Sequence, residues 1–200
     1  MKQLLIAVVL LATVTAAQQA RAQASGASGW TPCALGLFYP VQVPDENYDV
    51  IGLRLNLIAG KHATVSGLDL GLVNLSSVAE NSIQVGALWN EVDGDLRGLQ
   101  FSGLFNVVDG AALGLQAAGI LNQSGKGSDD VMGGGQIGLI NIAGDATGLQ
   151  IGGLNVSQNI VGLQIGVINW ANEMTGVQIG VINIIQDGPC PFLPVLNAAF

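Results

Sequence analysis

Basic residues are scarce in this chain: six Lys and Arg stand against 14 Asp and Glu in 200 residues, for a net charge of −8. Phosphate binding needs clustered Lys and Arg, so nucleic acid is excluded as a partner. A single histidine, His62, leaves no second imidazole for a multi-histidine metal site, and no His-dependent triad is in view. Beside Lys61 it reads as a solvent-exposed turn residue. The two cysteines, Cys33 and Cys190, lack CxxC spacing. They leave either free thiols or a candidate disulfide, which needs the ends of the chain to meet within ~4.4–6.8 Å between Cα atoms. Aromatics make up 5% and charged residues 10%, against about 25% charged residues in a soluble globule. Past residue 24 no uninterrupted apolar run reaches the roughly 20 residues of a membrane-spanning helix.

What is present begins with a leader. Lys2, the apolar run Leu4 to Ala17, and the small-residue sites Ala20-Arg21-Ala22 and Ala22-Gln23-Ala24 read as a secretory signal over 1–24. The expected mature chain, 25–200, is a single repeat-built β domain. It keeps Arg54, Lys61, Arg97 and Lys126 against all 14 acids, a net charge of about −10. Half of the residues are hydrophobic and 29 are Gly. An exported chain so apolar, Gly-rich and charge-poor points to a membrane β-barrel or a tightly stacked β-repeat.

The repeat is explicit. Asn74, Asn90, Asn106, Asn122, Asn141, Asn155, Asn169 and Asn183 follow one another at steps of 16, 16, 16, 19, 14, 14 and 14 residues. Each closes a phrase such as Gly148-Leu149-Gln150-Ile151-Gly152-Gly153-Leu154-Asn155, so one supersecondary unit has been copied. Within the phrase Gln100, Gln116, Gln136, Gln150, Gln164 and Gln178 occupy one slot. Gly inside every apolar phrase disfavours helix by about 1 kcal/mol each. Alternation predicts strands with one face of Val177, Ile179, Val181 and Asn183 and an opposite face of Gly176, Gln178, Gly180 and Ile182. Nine such strands begin near 52, 67, 82, 98, 114, 134, 148, 162 and 176, and 34–43 and 192–200 are candidate closing strands. Copies at 98 and 114 reach their Asn one residue late, which predicts a bulge or frayed end. Acids fall in turns such as Asp93-Gly94-Asp95 and Asp109-Gly110 and read as solvated turn residues. The longest loop is expected at 123–131.

The expected architecture is an antiparallel meander of about 10 strands closing as a small outer-membrane β-barrel. Its apolar face would meet lipid, and Gly and Gln would fill a narrow lumen. The alternative is a β-solenoid of paired 14–16-residue repeats, with the apolar face inward and Asn ladders at the turns. The iterated Gly-Leu-Gln-Ile-Gly-x-x-Asn phrase, with the flanks Tyr48 to Leu57 and Pro191 to Asn197, resembles the surface-repeat proteins of Gram-negative and spirochaetal bacteria. That resemblance spans roughly 35–200 and implies an outer-membrane or cell-surface location without a catalytic role.

No chemistry emerges beside it. Gly125-Lys126-Gly127-Ser128 fails the phosphate-loop spacing, and Asp129, Asp130 and Asp145 lack the nine-residue calcium repeat. The glutamines read as an inner-face ladder that satisfies itself. The expectation is a non-enzymatic surface protein, structural or interacting through exposed loops, without cofactor or metal and with the lipid bilayer as its partner. A secreted or surface solenoid adhesin or scaffold, or a narrow passive channel, are the alternatives.

Overall fold

The computed structural model describes residues 27–125 and 130–200. The expected leader, 1–24, lies outside the described residues, as does 126–129 in the expected 123–131 loop. Among the described residues every regular element is β, and no helix occurs. The strands are β1 (Gly29–Phe38), β2 (Val41–Val43), β3 (Tyr48–Val92), β4 (Leu96–Ser102), β5 (Phe105–Val108), β6 (Ala112–Ala118), β7 (Leu121–Ser124), β8 (Val131–Ile185) and β9 (Phe192–Ala199). At 45 and 55 residues, β3 and β8 are not straight strands. Each is a nearly continuous extended chain wound through several coils.

Neighbouring copies pair in parallel and in register. Gln84 lies beside Gln100, Gln100 beside Gln116, and Gln116 beside Gln136. Asn90, Asn106, Asn122 and Asn141 form a second such column. The fold is therefore a β-solenoid of about seven turns. The expected antiparallel barrel is corrected, and the reason lies in the amides. Identical amide side chains bond each other only when the copies run the same way in register, whereas a meander reverses every second copy. Each repeat is one complete coil, not half of one, since Asn155 bonds Asn169 14 residues later.

Glycine begins most coils because a Cβ has no room there. Gly148 and Gly162 have φ of +140° and +148°, and a Cβ on Gly162 would fall 1.9 Å from the Gly148 carbonyl oxygen. Ser82 stands in the same slot, and the register shifts there, between Glu80 and Ser82, while Asn81 takes a φ of 50°. The longer copies absorb their extra residue in bends that separate β4 from β5 and β6 from β7.

The terminal strands cover the ends of the stack. β1 pairs in parallel with the first coil and carries the short antiparallel β2, and β9 lies antiparallel on the last coil. The segments expected to close a ring, 34–43 and 192–200, thus cap opposite ends. Cys33 pairs with Leu53 at one end, and Cys190 precedes β9 at the other. Eight coil steps separate Gly52 from Gly176, and at ~4.8 Å each they hold the ends more than ~30 Å apart. Both thiols are free and exposed, so the candidate Cys33–Cys190 bridge is corrected.

Candidate functional site

The interior is lined by amides. Gln84, Gln100, Gln116, Gln136, Gln150, Gln164 and Gln178 are buried, as are Asn74, Asn90, Asn106, Asn122, Asn141, Asn155, Asn169 and Asn183. From Gln100 onward each Gln donates from Nε2 to Oε1 of the Gln one coil earlier, as Gln164 does to Gln150 (2.7 Å) and Gln100 to Gln84 (2.8 Å). From Asn74 to Asn169 each Asn donates the other way, as Asn155 Nδ2 does to Asn169 Oδ1 (2.8 Å). The remaining amide proton is used too: Asn155 Nδ2 reaches the Ile165 carbonyl (2.9 Å), and Gln178 Nε2 reaches the Ile184 carbonyl (3.0 Å). Gln side chains thus tie the two strands of a coil across a thin interior. The two columns of amide dipoles oppose each other and largely cancel. Their last acceptors, Gln178 Oε1 and Asn56 Oδ1, are buried and receive no bond.

The Gln column ends on charge. Asp69 occupies the Gln slot of its coil and accepts from Gln84 Nε2 (3.1 Å). Arg54 occupies the same slot one coil earlier and grips Asp69 with Nε (2.7 Å) and a second guanidinium nitrogen. Both side chains are fully buried. A carboxylate is a natural terminus for a chain of donors, and the guanidinium neutralises it. His62, expected in an exposed turn, is buried beside this pair, with Nδ1 3.4 Å from an Arg54 nitrogen. Burial first, and the Arg54 charge second, lower its pKa to about 4 against the opposing pull of a Pro44 backbone bond. Sequence reasoning left out Gln84, Asn56, Arg54 and Asp69. Their place in the repeat was readable from Ser82-Ile83-Gln84, Gly52-Leu53-Arg54 and Gly67-Leu68-Asp69.

The exterior inverts this order. Leu149 and Ile165 are half-buried and Ile179 is exposed, all pointing outward. The solenoid alternative had placed such residues inside, and that too is corrected. An aliphatic side chain cannot satisfy the inner carbonyls, whereas Gln and Asn do so while bonding each other. At the corner that follows the first strand of a coil, Leu139, Val167 and Val181 are 58%, 56% and 66% exposed. Half a circuit on lie the polar turns, with exposed Asp93, Asp95, Glu173 and Asp187. There Asn159 donates to Asp145 (2.7 Å), and Lys61 pairs with Asp93 (3.3 Å). Beneath these turns the interior becomes apolar, with Leu96, Met132, Ile160, Met174 and Ile185. Amides thus lie under the apolar exterior, and aliphatics under the charged one.

Among the described residues no three His, Cys, Asp or Glu come together as a metal site. A shallow groove on the apolar flank is lined by Val85, Phe101, Ala117 and Ile137, with Ser102 its one polar side chain. Neither place joins a nucleophile to a base. The chain matches no protein family, no curated protein and no solved structure.

Proposed function

We propose that this chain is a non-enzymatic β-solenoid scaffold of the bacterial cell surface, and that its outer apolar faces are its working surface. One observation carries the reading. A water-soluble protein hides its aliphatic side chains and rarely exposes apolar patches beyond a few hundred Å². Here Leu139, Val167, Val181 and Leu196 stand outside while the glutamines stand inside. Such a surface serves contact, not turnover. The leader-like segment 1–24 and the resemblance of the repeat to surface proteins support export. The narrow-channel alternative loses its basis, because bonded Gln and Asn side chains occupy the interior where a pore would run. An epitope placed in the polar turn at 158–159 tests the location. Intact cells should bind the antibody and lose the epitope to added protease, and an epitope reached only after lysis would sink the surface assignment.

A further inference from the structure

We propose that the outer corner of the coils is a lipid-seating keel, and that the solenoid lies with its long axis in the plane of a bilayer. The apolar corner would sit in the acyl layer and the acidic turns in water. The proposal rests on the reading that the outer faces are the working surface, and it names what that surface touches.

Position within the coil is the first argument. Val167 precedes Glu173 by six residues in a 14-residue coil, as Val181 precedes Asp187 and Leu139 precedes Asp145. Corner and carboxylate therefore lie on opposite sides of these three coils. In the coil 148–161 Gly153 takes the corner and Asn159 the turn, so the corner row stays free of charge. From 131 to 185 the only charged residues are Asp145 and Glu173, both in turns. An upright solenoid would carry these turns through hydrocarbon, whereas a recumbent one keeps them all in water.

Continuity is the second. Both strands that meet at the corner are apolar outside, with Ile165 before it and Trp170 after it. A rigid second copy docked by one two-fold contact covers a single patch, whereas fluid acyl chains cover both flanks together. Hydrogen bonding is the third argument. Hydrocarbon tolerates no unpaired backbone groups. In this fold backbone bonds run between coils along the axis, and the inner amides satisfy one another. The apolar flanks therefore present aliphatic groups with little unmet polarity. A protein partner imposes no such demand.

The test uses the purified chain with Cys33 and Cys190 changed to Ser and phosphatidylcholine vesicles. The chain should float with the vesicles, insensitive to added salt, and more weakly when anionic lipid is included, given its net charge of −8. A fluorophore on Val181→Cys should shift to the blue and be quenched by lipids brominated on the acyl chain. The same fluorophore on Glu173→Cys should be unaffected. The triple variant Leu139→Asp, Val167→Asp, Val181→Asp, with its β circular dichroism retained, should lose at least tenfold in vesicle partitioning. Unchanged partitioning of that variant would overturn the keel, as would equal quenching at 173 and 181. A soluble dimer that leaves vesicles untouched would assign the face to a second copy instead. None of these readings depends on where the chain resides in the cell, so the surface assignment stands or falls separately.

Discussion

At Gly162 the whole coil depends on a missing methyl group. Its φ of +148° and the 1.9 Å approach of the Gly148 carbonyl to a would-be Cβ mean that Gly162→Ala must move backbone. We expect a loss of at least ~2 kcal/mol in stability, read from denaturant midpoints. The ladder is similarly unforgiving. Gln150→Leu removes the acceptor used by Gln164 and Ser157 and the donor to Gln136. Stranded polar groups of this kind cost about 1–3 kcal/mol each, so this nearly isosteric change should destabilise by roughly 2–4 kcal/mol. At the N-terminal end, Asp69→Asn leaves Arg54 buried without its counter-charge. A loss of about 3–5 kcal/mol is expected, and Arg54→Met combined with Asp69→Leu should recover part of it. Recovery would show that the charge pair ends the ladder rather than supplying net stability.

At the scale of elements, the N-terminal coils are the pH-sensitive part. The folded state holds the His62 pKa at about 4, below the ordinary histidine value of 6.5. The unfolded chain therefore binds the proton more readily, and stability is full above about 6.5 and falls as pH drops toward 4. Amide hydrogen exchange in 48–75 should accelerate over that window while 148–185 stays protected, and His62→Gln should flatten the difference. The terminal strands act as covers for open sheet edges. β9 pairs with Gly176 to Gly180 along the last coil, and without it that edge offers free backbone groups to another chain. Truncation before Phe192 should produce concentration-dependent end-to-end association, visible in light scattering.

For the whole molecule, one repeat per coil makes length an adjustable quantity. Deleting residues 148–161 joins Thr147 to Gly162 and brings Gln136 to Gln164 and Asn141 to Asn169, with the register kept. The shortened chain should keep its β circular dichroism with a modestly lower midpoint, as expected for stability summed over coils. Deleting only 148–154 should abolish folding, because it sets outward residues against inward ones. Much of this was legible in the chain. The steps of 14 and 16, the Gln slot and the two terminal strand segments all show in the residues, though the latter read as closing a ring and not as capping a stack. Direction was not: a strand and turn of 14 residues fits an antiparallel hairpin arm or one full coil equally well. His62 reads as a surface residue because its neighbour Lys61 belongs on one, while the Arg54–Asp69 pair beside it forms only when successive coils stack, 15 residues apart.

By itself the sequence determined that one β unit is copied, that each Gln takes the side opposite neighbours such as Val177 and Ile179, and where the turns fall. Alternation of side chains along an extended backbone imposes that separation in any β architecture. It also sets Asn183, five residues from Gln178, on the apolar side, but the corner of the coil turns both amides inward. Only the tertiary structure decided which side became the interior. That choice depends on parallel stacking, which lets each Gln and Asn find its own copy one coil away and leaves the aliphatic side chains outside.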